Sequence, residues 1–154
     1  MRRTCEVPSP QSPVFEDEAS LFSLATEYLE AAEILARTPP VKLNVSLVTL
    51  YLLGHAAELL LKSLLHTHGV PLEDLKKKYG HNLGKLIEEA RKRELLVSTL
   101  LVSVEAFSKT YTPKHTEYRQ KVAASLPLLE SLLQELRLLQ TQVFNHVERF
   151  QSGA

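Results

Sequence analysis

What this sequence lacks narrows its chemistry first. Cysteine occurs once in 154 residues, at Cys5 in a polar N-terminal stretch. One thiol makes no disulfide framework, and the expectation is a protein of a reducing cytoplasm. Charge of one sign is not in excess, with 18 Lys plus Arg against 18 Asp plus Glu. The chain as a whole is therefore no general polyanion binder, although a local basic patch stays open. The five glycines, at 54, 69, 80, 84 and 153, lack the spacing of a phosphate-binding loop. No serine sits in a glycine-flanked nucleophile turn. No apolar run reaches transmembrane length without a charge. "MRR" leads into Pro, Ser and Glu rather than the apolar segment of a signal peptide, so no membrane association is expected. In that setting the sequon Asn44-Val45-Ser46 carries no glycan, and Asn44 reads as a helix cap.

What is present is mostly helical pattern. Residues 1–14, with Pro8, Pro10 and Pro13 among polar side chains, predict a disordered arm before a single domain over 15–151. A first helix is expected over roughly 16–37, with Leu21, Leu24, Tyr28, Ala31 and Leu35 on its inner face, and "TPP" at 38–40 breaks it. A second helix is expected from an Asn44 cap to about His68, closed by Gly69. Pro71 opens a short helix that Gly80 stops, and Asn82 caps another over about 83–94. "LLVSTLLVSVEAFSKTY" is rich in β-branched residues, which favour strand. Its face of Val97, Leu100, Leu101, Val104, Phe107 and Tyr111 argues for helix instead. After the loop "TPKHTEYRQ", Ser125 and Pro127 open a last helix to about Phe150, with Leu129, Leu132, Leu133, Leu136, Val143 and Val147 inward. The fold class expected is all-α, an antiparallel up-and-down bundle of about five helices.

One stretch combines this pattern with chemistry. "GHAAELLLKSLLHTHG", 54–69, is leucine-rich yet holds His55, Glu58, Lys62 and His66. At 100° per residue, these four and Tyr51 fall within an arc of roughly 80°. Leucine and alanine fill the rest of the wheel, a wider apolar surface than an ordinary amphipathic helix carries. The helix is thus expected to be enclosed on most sides. Its polar stripe is either a wet face or the lining of a groove. Glu58 one turn before Lys62 is the favourable order for an ion pair.

Residues 50–90, with "ELLLK", a basic connector and "GHNL" opening the next helix, resemble the core of HEPN domains, the "higher eukaryotes and prokaryotes nucleotide-binding" superfamily. The segment "YTPKHTEYR", 111–119, is similar to the Tyr- and Arg-containing stretch before the last helix in many such proteins. The resemblance implies a helical bundle that often dimerises, a prokaryotic source, and a role in a toxin–antitoxin pair, in defence, or beside a nucleotidyltransferase partner.

This chain departs from the ribonuclease members of that superfamily. They carry Arg followed by His after four to six residues. Arg119 has no such His, and eight residues separate Arg137 from His146, which places the two on opposite sides of a helix. Ribonuclease activity is therefore not carried over, and no enzymatic activity is expected. Six histidines invite a metal, but His66 and His68 diverge on a helix, and a zinc site would need His81 or an acid brought from elsewhere. No metal and no cofactor are expected. Lys76, Lys77, Lys78, Lys85, Arg91, Lys92 and Arg93 form a basic cluster that reads as a solvated face, or as phosphate contacts if a nucleic acid binds.

The leading expectation is a non-catalytic homodimeric interaction or substrate-binding subunit, with an antitoxin or nucleotidyltransferase as protein partner. The alternative is a nucleotide- or RNA-binding module built on a polar groove. If the helix from Asn82 descends and the next one climbs, with a break at Arg93–Leu96, Tyr111, Tyr118 and Arg119 meet His66 and His81 at the upper end of the stripe. The candidate groove is then Tyr51, His55, Glu58, Lys62, His66, His81, Tyr111, Tyr118 and Arg119.

Overall fold

The computed structural model describes residues 16–38, 46–96, 101–111 and 128–153. They form α1 (Glu18–Arg37), α2 (Leu47–Thr67), a one-turn α3 (Leu72–Asp74) that runs into a π-helical turn (Leu75–Tyr79), α4 (Leu83–Lys92), α5 (Val102–Tyr111) and α6 (Leu129–Ser152). No strand occurs among the described residues, and the protein is an all-α helical bundle. The expected N-terminal arm, Asn44, Val97, Leu100, Ser125, Pro127, Tyr118 and Arg119 lie outside the described residues.

The central element is α2. Leu53, Leu60, Leu61, Leu64 and Leu65 have no exposed surface. The helix is long and apolar enough to cross a membrane by length and composition, but 72% of its most apolar window is buried inside the bundle. It starts at Ser46, whose hydroxyl accepts from the Thr49 amide at 3.2 Å. It ends on Gly69 at φ +88°, where the Val70 amide reaches back to Leu65 O and the Gly69 amide to His66 O, the paired bonds of a left-handed C-terminal cap.

Long-range contacts fix the directions. Glu18 meets Ser63 and Tyr28 meets His55, so α1 and α2 are antiparallel. Glu33–Arg137, Thr26–Gln140 and Phe22–Phe144 run α6 antiparallel to α1. The inner face of α1 differs from expectation. Leu21, Ala25, Leu29 and Ala32 are buried, while Leu24 and Leu35 are 39% and 40% exposed. The two faces lie roughly a quarter turn apart, because small alanines at 25 and 32 let the neighbouring helices approach closely, whereas the larger side chains mark the wrong face. On α6, Leu132, Leu133, Leu136, Val143 and Val147 are inward as expected. Leu129 is exposed in the first turn, and Leu139 is buried where Leu138 is not.

Two legs run opposite to expectation. The short α3 and π-turn already make the descending leg after α2. α4 then climbs, from His81 beside Glu58 to Arg93, which donates to His68 O at 3.2 Å. α5 descends, pairing Glu105 with Arg91 and reaching Gly54 of α2 with Tyr111. The break over Arg93–Leu96 is present, with Glu94 at φ +57°. The described part of the next helix begins at Val102, with Leu95 and Leu96 still in the turn. Its first amides, Ser103 and Val104, each bond a Glu135 carboxylate oxygen of α6 at 2.9 Å, a cap supplied from another helix.

Candidate functional site

Glu58 is the centre of the polar stripe. Its position on α2 faces the interior where α2, the start of α4 and the end of α5 meet, and it is 1% exposed. Lys62, one turn on, donates to Oε1 at 2.7 Å. Tyr111 on α5 donates its hydroxyl to Oε2 at 2.8 Å. His81, just before the Asn82 cap of α4, places Nδ1 3.1 Å from both oxygens. Burial alone would push the Glu58 carboxyl up, but the Lys62 ammonium, with His81 and Tyr111, outweighs it and holds the group below its ordinary value.

Because the carboxylate only accepts, the proton positions follow. His81 carries its hydrogen on Nδ1. The Tyr111 hydrogen is spent on Glu58, so His55 Nδ1, 3.2 Å from the Tyr111 oxygen, is the donor in that contact. His55 is held in turn by Tyr51, stacked at 5.8 Å, and by Tyr28, edge-on at 4.5 Å. The result is a directed chain, His55 to Tyr111 to Glu58. Lys62 and His81 converge on the same carboxylate. The His81 side chain is 61% exposed, so the network opens to solvent most widely there.

Gly54 makes this possible. A Cβ there would lie 2.2 Å from the Tyr111 ring, so only glycine lets the ring cross the helix and bring its hydroxyl to Glu58. A glycine inside a leucine-rich helix costs about 1 kcal/mol relative to alanine. That anomaly was the sequence signal for the close approach.

Of the candidate residues, Tyr51, His55, Glu58, Lys62, His81 and Tyr111 are brought together. His66 is not. Its Nδ1 bonds Val70 O at 3.0 Å, and its Nε2 faces the buried Glu18 carboxylate at 3.6 Å, pinning the top of α2 to α1. Sequence reasoning also missed His68–His146, whose Nε2 and Nδ1 lie 2.9 Å apart between α2 and α6. Burial and cationic neighbours hold both rings below their ordinary values. Among the described residues, no group of three or more His, Cys, Asp or Glu is placed to hold a metal ion.

No family model matches the chain, and no curated protein or solved structure shows significant similarity to it. Any functional reading therefore rests on the residues themselves.

The basic cluster is largely committed within the molecule. Lys77 pairs with Glu73, Arg91 with Glu105, Lys92 with Glu88 and Arg93 with Glu89. Arg137 turns to Glu33 of α1, while His146, on the same helix, turns to α2.

Proposed function

We propose that the chain is a non-catalytic, HEPN-like helical bundle that acts by binding a partner, as a homodimeric interaction or substrate-binding subunit. The observation that carries this reading is an apolar strip shared by α1 and α2. Tyr28 against His55 sets the register of the two helices. One helical repeat away, Leu35 comes level with Val48, and between them Ala31 comes level with Leu52. Leu24, Leu35 and Val48 are exposed, and Tyr28, Tyr51 and Leu52 are partly buried between them. A continuous apolar strip on a bundle surface is the usual mark of an interface.

Two further features favour binding over chemistry. The Glu58 oxygens are occupied by internal donors, and Arg137 and His146 face different neighbours. The basic cluster is interleaved with Glu73, Glu88, Glu89 and Glu105, which lowers its net positive charge and weighs against an RNA or nucleotide partner. A toxin–antitoxin or nucleotidyltransferase setting rests on the likeness of residues 50–90 alone.

Light scattering of the purified chain tests the proposal. The expected mass is twice 17.3 kDa. The pair Leu35→Glu and Val48→Glu should give a monomer of unchanged helicity. A wild-type monomer at micromolar concentration overturns the homodimer.

A further inference from the structure

The described histidines divide by what faces them. His55, His66 and His81 each have a carboxylate oxygen at hand, at 3.9, 3.6 and 3.1 Å. His68, at the end of α2, and His146, near the end of α6, have none among the described residues. They face each other instead, Nε2 to Nδ1 at 2.9 Å, with the rings 64° apart. We propose that this pair is a proton-operated clasp, which holds the end of α6 on α2 near neutrality and releases it in mild acid. The inference goes beyond partner binding and does not depend on it.

Three observations carry it. First, two imidazole nitrogens at this distance share one hydrogen, donated by one ring to the lone pair of the other. Two neutral rings satisfy this, and so does a pair that carries one added proton. A second proton leaves two donors and no acceptor, and the two charges repel. Second, the charged neighbours add to that repulsion. Arg93, just past α4, donates to His68 O, and Arg149 lies one turn beyond His146 on α6. Burial, then Arg93 for His68, and burial, then His68 and Arg149 for His146, hold both rings below the ordinary 6.5. The acids of the adjoining helices are engaged elsewhere, Glu89 of α4 with Arg93, and Glu18 of α1 with His66 and Gln151. Third, little else holds the end of α6. Val147 is its last buried residue, and residues 148–152 are exposed, with Gln151 bonded to Glu18. A segment so sparsely packed opens without the rest of the bundle. The direction follows from the depressed values: the stability that the neutral pair contributes is whole above about pH 6.5 and is lost as pH falls through the folded values.

The experiment titrates the full, isotope-labelled chain from about pH 8 to about pH 5, following the histidine rings by NMR and the amide-exchange protection of α6 at each step. His68 and His146 should titrate as a coupled pair, in two steps below 6.5. Protection of the amides of residues 146–150 should fall by about tenfold over that range, while that of residues 60–65 in α2 stays constant. His146→Gln keeps the contact, because its amide oxygen accepts from His68 in either charge state. It should therefore make the protection of this segment independent of pH. If that variant does not fold, the wild-type titration decides alone. Two rings that titrate independently, or at 6.5 and above, overturn the clasp. So does an acid response in His146→Gln as large as that of wild type.

Discussion

The ring of Tyr111 occupies the space that a side chain at Gly54 would need, with a Cβ there falling 2.2 Å from the ring. Alanine is the better helix former by about 1 kcal/mol, so Gly54→Ala would stabilise α2 if the helix stood alone. In the bundle it displaces Tyr111, and overpacking of this kind costs about 1–3 kcal/mol. A net loss is expected in urea unfolding. Pairing it with Tyr111→Ala should cancel most of the clash, so the double variant should lose less than the two single losses added together. Strict additivity would remove the steric account.

Lys62→Met should be among the most damaging single substitutions in the protein. It leaves the Glu58 carboxylate buried without its main counter-charge, and breaking a buried pair from one side costs about 3–5 kcal/mol. Adding Glu58→Gln restores neutrality and should recover much of that loss. If the double variant is as unstable as Lys62→Met alone, the ammonium is not the partner that matters.

Acid should reveal the same carboxylate. The folded Glu58 value lies below its ordinary 4.5. A depressed carboxyl contributes stability that is complete above the unfolded value and is lost as pH falls through the folded one. The stability difference between wild type and Glu58→Gln should thus be constant near neutrality and shrink in wild type's disfavour below about pH 4.5. A gap that widens on acidification would contradict the assignment.

Much of this was legible in the sequence where local rules act alone. The Asn82 cap, the Gly69 terminus and the break at Arg93–Leu96 follow from side-chain hydrogen bonding and backbone freedom, which need no partner. The Glu58–Lys62 pair followed from helical spacing. The direction of α4 did not, because a ten-residue stretch opened by Pro71 looked too short to count as a leg of the bundle. The inner face of α1 was hidden because alanine marks close packing while leucine marks only hydrophobicity. The convergence of His81 and Tyr111 on Glu58 depends on those directions, so the stripe was visible but its partners were only half right.

The π-turn has a consequence for the length of the chain itself. Gly80 donates to Leu75 O, five residues back, at 3.1 Å, so Leu75–Tyr79 holds one residue more than an α-helical turn would. Deleting any one of Lys76, Lys77 or Lys78 would let the segment relax to the ordinary period. The extra residue is taken up within that one turn, so everything after it would keep nearly the same phase and height. His81 should stay beside Glu58, and α4 should dock on the same side chains. The segment is a place where the chain absorbs one residue without moving its neighbours, so a deletion here should be tolerated where the same deletion inside α4 would not be.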